Sequence, residues 1–324
     1  MIEKRLRRRE VILALGASVL LPGAAAAQAG PIKLVAPFPP GGSVDAISRL
    51  LQPGLQQRLG ASVIVENRAG GSGSIGANAV AKAAPDGQTW LMVFDTHAVN
   101  PALLPSLPFD TVKDLEPVEL LGTAPMVLAC HQSRPFKTLA DVIAGAKAAP
   151  GKLTYATIGN GSLGHLAMVL LGKRAGVELT HVPYRGGGPA VNDAVGGHVD
   201  LIIGSAALLA PQVAGGALRP IVQTAAQRIS TMPDVPTVIE SGFDGFTADA
   251  WWGVFAPAGT PKPIIDKFRA ALVETVRDPA TAKRLVEQQQ VTLALQGGEA
   301  FRSFFAEQMR IWGAVVRDNG IKPD

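Results

Sequence analysis

Two glycine-bearing segments hold the residues best suited to chemistry: Pro37-Phe38-Pro39-Pro40-Gly41-Gly42-Ser43-Val44-Asp45 and Thr157-Ile158-Gly159-Asn160-Gly161-Ser162-Leu163-Gly164-His165. Each lies between a short β-branched run and an Ala/Leu-rich segment of helical spacing, so each reads as a strand-to-helix loop. Glycine lets the backbone approach a ligand closely. The first amides of a helix have no intrahelical partner and carry partial positive charge, which suits a small anion such as a carboxylate. Ser43 reads as the N-cap of the first helix. Taken singly, either loop is also an ordinary turn with its cap.

Several side chains are placed to complete such a site. Phe38, at the exit of the first strand, reads as a pocket wall or a core ring. Asp45 falls in the first helical turn, where the helix dipole favours an acid; it could orient loop amides or receive a ligand amine. His97 follows the third strand and could line the same cleft or stand as a solvated loop histidine. Tyr184 and Arg185 precede Gly186-Gly187-Gly188 and suit the far end of a ligand, Arg185 being the one obvious fixed cation near these loops.

Three other chemistries compete. Gly71-Ser72-Gly73-Ser74-Ile75-Gly76 fits G-x-G-x-x-G, with Asp95 19 residues beyond Gly76, so an exported NAD(P)-type oxidoreductase is the first alternative. Against it, the glycines follow the second strand instead of the first. Asn160-Gly161-Ser162-Leu163-Gly164 departs from G-x-S-x-G at position 160 and shows no acid and histidine in the expected order, which weakens a serine hydrolase. The histidines show no metal-ligand spacing, so neither metal nor cofactor is expected. No catalytic residue is assigned, and the chain reads as a non-enzyme.

The elements that must position these loops alternate in βαβ fashion. Strands are expected at 32–38, 62–66 and 90–94, with helices at 43–59 and 75–83, forming a parallel sheet. A second series follows, with strands at 126–130, 153–156, 179–182 and 199–203 and helices at 139–148 and 163–175. Beyond a strand at 219–224 and a proline-rich loop, an apolar run at 252–255 leads to helices at 263–276, 280–288 and 299–318. A helical tail of that length needs a surface for its apolar stripe, so the chain should return to the first sheet. The expected organisation is a two-lobed α/β fold: residues 30–126 and 252–324 form lobe one, residues 127–251 form lobe two, and two segments, near Pro125–Cys130 and Trp251–Phe255, cross as a hinge.

Residues 1–27 read as a signal peptide. Lys4, Arg5, Arg7, Arg8 and Arg9 precede an uncharged stretch, Val11 to Leu21, which ends in Ala-rich cleavage sites before Gln28 or Gly30. That stretch is too short for a spanning helix of about 20 residues. Export by either the Sec or the twin-arginine route to the periplasm is expected. Removing it takes five basic and two acidic side chains from totals of 30 and 26, leaving a nearly neutral protein with no basic patch for nucleic acid. The single cysteine, Cys130, lies in an apolar run and reads as a buried strand thiol.

Seven ordered motifs make the pattern specific: Pro37-Phe38-Pro39-Pro40-Gly41-Gly42 with Asp45, Val65-Glu66-Asn67-Arg68-Ala69-Gly70, Ala84-Pro85-Asp86-Gly87, Pro150-Gly151-Lys152-Leu153-Thr154-Tyr155, His181-Val182-Pro183-Tyr184-Arg185-Gly186-Gly187, Pro233-Asp234-Val235-Pro236-Thr237, and the run from Trp252 to Pro261. Together they resemble the receptor component of the tripartite tricarboxylate transporters, the family of Bordetella uptake receptors. The resemblance covers nearly the whole chain beyond the leader. It implies a two-lobed periplasmic binding protein of type II-like architecture, a small organic carboxylate gripped by loops from both lobes, and integral membrane transporter subunits as partners of a monomeric receptor. It also implies ligand roles for Phe38, Gly41, Gly42, Ser43 and Asp45 in lobe one and for Gly159, Asn160, Gly161, Ser162 and His165 in lobe two. The chain departs from the family pattern at Ser43-Val44 and Thr157-Ile158, where ligand side groups would lie.

Overall fold

The computed structural model describes residues 30–104 and 106–323; the expected leader lies outside the described residues. The chain begins with β1 (Ile32–Ala36), α1 (Ser43–Leu59), β2 (Val63–Asn67), a tight 3-10 turn at Gly71–Gly73 leading into α2 (Ser74–Ala81), β3 (Thr89–Phe94) and α3 (Thr96–Leu103). It continues through β4 (Leu115–His131), α4 (Leu139–Ala148), β5 (Thr154–Thr157), α5 (Leu163–Ala175), β6 (Thr180–Pro183), α6 (Gly187–Val195), β7 (Leu201–Ser205), α7 (Ala206–Ala214) and β8 (Leu218–Gln223). The last stretch holds β9 (Asp249–Pro257), α8 (Lys262–Arg277), α9 (Pro279–Glu287), β10 (Thr292–Gly297) and α10 (Gly298–Asp318).

The helices expected at 43–59, 139–148 and 163–175 are found with those bounds because their ends carry strong local signals. Helix α4 opens on a reciprocal capping box in which the Asp141 amide donates to Thr138 Oγ1 and the Thr138 amide to the Asp141 carboxylate. Helices α1 and α5 both stop at a left-handed glycine, Gly60 (φ 64°) and Gly176 (φ 62°).

The strands run β2-β1-β3-β9-β4-β7-β5-β6, with β8 and β10 also paired to β4. The expected parallel sheet is therefore only part of the result. Pairs β1/β2, β1/β3, β5/β6 and β5/β7 are parallel, whereas β3/β9, β4/β9 and β4/β7 are antiparallel. The cause is β4, a 17-residue strand of which only residues 126–130 were legible as extended. Its first part, Leu115–Pro125, pairs with β9, and its remainder pairs with β7 and β8. Pro117 and Pro125, which remove ladder donors, hide the first part from pattern reading. Where β4 passes from one set of partners to the other, Thr224 ties the chain together. The Met126 amide donates to Thr224 Oγ1 (2.9 Å), the Thr224 amide returns a bond to the Met126 carbonyl (2.9 Å), and the Thr224 hydroxyl donates to the Ala248 carbonyl (2.6 Å).

Strand alternation in β9 distributes its aromatic residues to two cores. Trp252 and Val254 pack on one side with Trp90, Phe94 and Phe268, and Trp251 and Phe255 on the other with Phe301 and Phe305 of α10. Gly253 between them lets α10 approach, since a Cβ there would stand 2.4 Å from Phe301 Cζ. The C-terminal helices thus return to the first strand set as expected, with α8 on α1 and α10 on α3. Cys130 is buried, its Sγ 3.6 Å from the Phe136 carbonyl, and burial pushes its thiol up, consistent with an inert strand residue.

Candidate functional site

A cavity of about 660 Å³ opens where the two strand sets meet, and helix starts from both sets surround it. From the first set, Phe38, Gly42, Ser43 and Val44 line it at the start of α1, and Ala69–Gly73 line it before α2. From the second, Ile158 and Gly159 follow β5, Tyr184–Pro189 lead into α6, and Gly204, Ser205 and Leu208 open α7. Met126 and Phe94 complete the walls. Among the described lining residues Arg185 is the single charged side chain; it is exposed.

Helix α1 presents its first amides without a side-chain cap. Its N-cap is Gly42, not Ser43 as the sequence suggested, and Gly42 makes no side-chain bond. Ser43 is the first helical residue, and its hydroxyl instead accepts from Trp252 Nε1 at 3.3 Å. Asp45 does not line the cavity. Its buried carboxylate accepts from the Gly41 amide (3.1 Å), Arg49 Nε (2.9 Å) and Asn67 Nδ2 (3.0 Å), and Asn67 Nδ2 also donates to the Phe38 carbonyl (3.1 Å). Burial opposes ionisation there, but these donors outweigh it and hold the carboxyl below its ordinary range. Of the two roles open to Asp45, this geometry matches orientation of the loop. Gly41, at φ 85°, makes the turn that brings its amide to Asp45.

In the second loop, only Gly159 of the expected residues lines the cavity. The Gly159 amide donates to Thr157 Oγ1 (3.2 Å), the Gly161 amide to His165 Nδ1 (3.1 Å), and the Ser162 hydroxyl accepts from the His165 amide (3.4 Å) as the cap of α5. Ser162 and His165 are buried behind the loop, and Asn160 lies in its turn. Tyr184 does reach the cavity, with its hydroxyl donating to Asp193 (2.7 Å); burial and that carboxylate push the phenol up to about 12. Lining residues not assigned to the site from sequence include Ala69–Gly73, read there as part of a dinucleotide-type motif, Gly186–Pro189 and Ser205. Their signals were present as a glycine run broken by a first-turn proline, and as a serine ahead of an apolar helix.

His97 lies in neither expected setting. It is buried, stacked on Phe305 at 5.5 Å and edge-on to Phe255 at 5.1 Å. Burial holds its imidazole down at about 3, against 6.5 for the free group. An unfolded chain takes up this proton near pH 6.5 and the folded chain only near 3, so stability is lost as pH falls through that window. Asp95 beside it has the opposite sign, because burial raises its carboxyl well above 3.8 and its contribution is lost as pH rises. Urea unfolding at pH 7 and pH 4.5 should therefore show an acid penalty from His97 of about 2–3 kcal/mol. His97→Phe should remove that part of the decline. Identical pH slopes in the two proteins would exclude this assignment.

The family model for the tripartite tricarboxylate transporter family receptor matches residues 47–321. The chain belongs to that family. It is 36% identical over 296 residues to the protein BugT of Bordetella pertussis, covering 91% of this chain and 90% of the relative. Among solved structures, the periplasmic binding protein BugD superposes with a TM-score of 0.84 at 31% identity, over 91% of this chain and 99% of BugD. Rpa4515 of R. palustris, solved with adipate, gives 0.85 at 31% identity over 91% and 98%. The fold is that of the periplasmic binding proteins, and the chain is a solute-binding receptor of this family.

The competing chemistries find no support in the receptor's geometry. The Gly71–Gly76 run follows β2, which stands at the end of the strand order, and Asp95, the acid expected to meet a ribose, is wholly buried. Ser162 caps its helix through a backbone amide, and His165 Nδ1 faces the Gly161 amide, so they do not form a nucleophile and base.

Proposed function

We propose that this receptor works in the periplasm, capturing a small organic carboxylate between lobe one (30–126 and 252–324) and lobe two (127–251). It then delivers the ligand to integral membrane transporter subunits, as a monomer and without chemical change. The observation that carries this reading is the convergence of the uncapped starts of α1 and α6, one from each lobe, on a single cavity. Each start contributes roughly half a positive charge and several free amides, enough to hold a carboxylate without a buried cation. Adipate in Rpa4515 is a ligand of this chemical type.

The grip differs from the one drawn from sequence in its lobe-two half. The amides of Gly159 and Gly161 already have acceptors, and the Leu208 amide of α7 is capped by Ser205, so the donors assigned to the ligand there are those at Gly187 and Gly188 of α6. Arg185 faces the far end of the ligand. The hinge is assigned to the two segments that cross between these lobes, near Pro125–Cys130 of β4 and Trp251–Phe255 of β9, beside the Thr224 bonds to Met126 and Ala248. Because each lobe supplies part of the contact, ligand shifts the population toward closure. Small-angle scattering across a panel of mono- and dicarboxylates should show a smaller radius of gyration with the binding acid. No compaction with any acid, together with compaction by a nicotinamide dinucleotide, would overturn the reading.

A further inference from the structure

Behind the Ile158–Gly159 wall lies a column of rings that touches no part of the cavity. Tyr155 of β5 is opposite His181 of β6 in register, and their rings stack at 5.0 Å. His165 of α5 also stacks on His181, at 3.9 Å with the planes 14° apart. Two residues along β5 on the same strand face, Thr157 places its Oγ1 2.6 Å from His181 Nε2.

The hydrogen bonds around this column depend on where the Thr157 hydroxyl proton goes. Thr157 Oγ1 accepts from the Gly159 amide (3.2 Å), and its one proton can go either to the Gly159 carbonyl (3.1 Å), with His181 Nε2–H then donating to Oγ1, or to His181 Nε2 itself; the strut proposed below uses the first arrangement. His165 Nδ1 accepts from the Gly161 amide, which places that ring's proton on Nε2. Burial, with the neighbouring His165 ring, keeps His181 down at about 3 and therefore neutral at neutral pH. The same segment supports the neighbouring wall: the Tyr184 amide donates to the Thr157 carbonyl (3.0 Å) and the Gly186 amide to the Ile158 carbonyl (3.3 Å). Gly159 sits at φ 140°, a conformation with few other constraints on it, so these bonds define where it stands.

We propose that the stacked His165–His181 pair, acting through Thr157 and Gly161, is a positioning strut that fixes the lobe-two wall of the cavity and so sets ligand affinity without touching the ligand. Its affinity component rests on the carboxylate-binding reading; its structural component does not. In the ligand-free full-length protein, nitrogen NMR should find both rings in the Nε2–H tautomer, and the Gly159 and Gly161 amides should exchange slowly. Thr157→Val should free the Gly159 amide and Thr157→Ser restore it, while His181→Phe, which keeps the Thr157 acceptor but removes the ring nitrogen that orients it, should free it less, and the double variant should add little to Thr157→Val. The His181→Phe ring keeps the stack, so a fold defect is separable from loss of the hydrogen bond. An Nδ1–H tautomer at His165, or Gly159 exchange unchanged in all variants, would overturn the strut.

The second readout uses whichever acid of a mono- and dicarboxylate panel binds the wild type. Its affinity should fall about tenfold in Thr157→Val and His181→Phe, in line with one lost buried hydrogen bond, and recover in Thr157→Ser. Unchanged affinity in both variants would refute the role in binding. Absence of any binding acid would instead count against the proposed function, with amide exchange still deciding the strut.

Discussion

If the proposed carboxylate site is right, the acid it binds, added at about 1,000 times its dissociation constant, should raise the melting temperature by roughly 10 °C. Binding to the folded state alone contributes about 4.1 kcal/mol at that saturation. A protein of this size gains about 2–4 °C for each kcal/mol. The ligand should also be recovered unchanged, because the described lining residues offer helix starts and one arginine but no cysteine, histidine or carboxylate to act as nucleophile or base. Mass spectrometry after overnight incubation checks this. Product in molar excess over protein would mean turnover, and no stabilisation by any carboxylate of the panel would remove the site itself.

Gly42→Val should remove a third or more of that stabilisation while leaving the protein folded. Gly42 has φ −80° and ψ 170°, a conformation open to any residue, and the nearest heavy atom to an added Cβ is the Pro39 carbonyl oxygen at 3.7 Å. The fold therefore accommodates the side chain, which then stands over the first amides of α1. Losing one or two charge-assisted bonds there amounts to about 1.5–3 kcal/mol each, or tenfold and more in affinity. Calorimetric titration of the variant against the stabilising acid is the measurement. Wild-type affinity in a folded Gly42→Val protein would move the binding site away from α1. Gly41 offers no such test, because its φ of 85° strains any side chain.

These tests aim at features that differ in how far the sequence revealed them. The glycine loops and Phe38, Tyr184 and Arg185 were visible because glycine spacing and strand exits leave local marks. Helices with capping signals, such as α4 with Thr138 and Asp141, were visible to the residue. Helices α3 and α7 were not, since each carries an internal proline, Pro101 and Pro211, that reads as a break. β10 escaped because it is only half-buried and has no alternating buried face, with a register shift between Leu293 and Gln296.

The roles of Asp45 and His165 were hidden for a different reason. Their types and positions fit ligand contact, but what engages them is set by partners far along the chain or by side-chain direction, as with Asn67 for Asp45. A motif marks where a loop is; tertiary hydrogen bonding decides which of its groups remain available. The same holds for the starts of α6 and α7, which reach one cavity because β7, β5 and β6 are neighbours in the sheet.

The position of β9 in the strand order has a consequence for how this chain is made. β3 and the first part of β4 flank β9 and gain their shared neighbour only once residues 249–257 exist. Strands β5 to β8 and the rest of β4, by contrast, are all present by residue 223. The second strand set therefore has all its partners encoded before β3 does, and until β9 is made the edge of β3, with Leu91, Met92, Val93 and Phe94, lacks its covering strand. Such an edge is a template for association between nascent chains. The interval between completion of residue 94 and arrival of residue 249 is thus when a holdase has most to protect, and chains truncated within it should aggregate through β3.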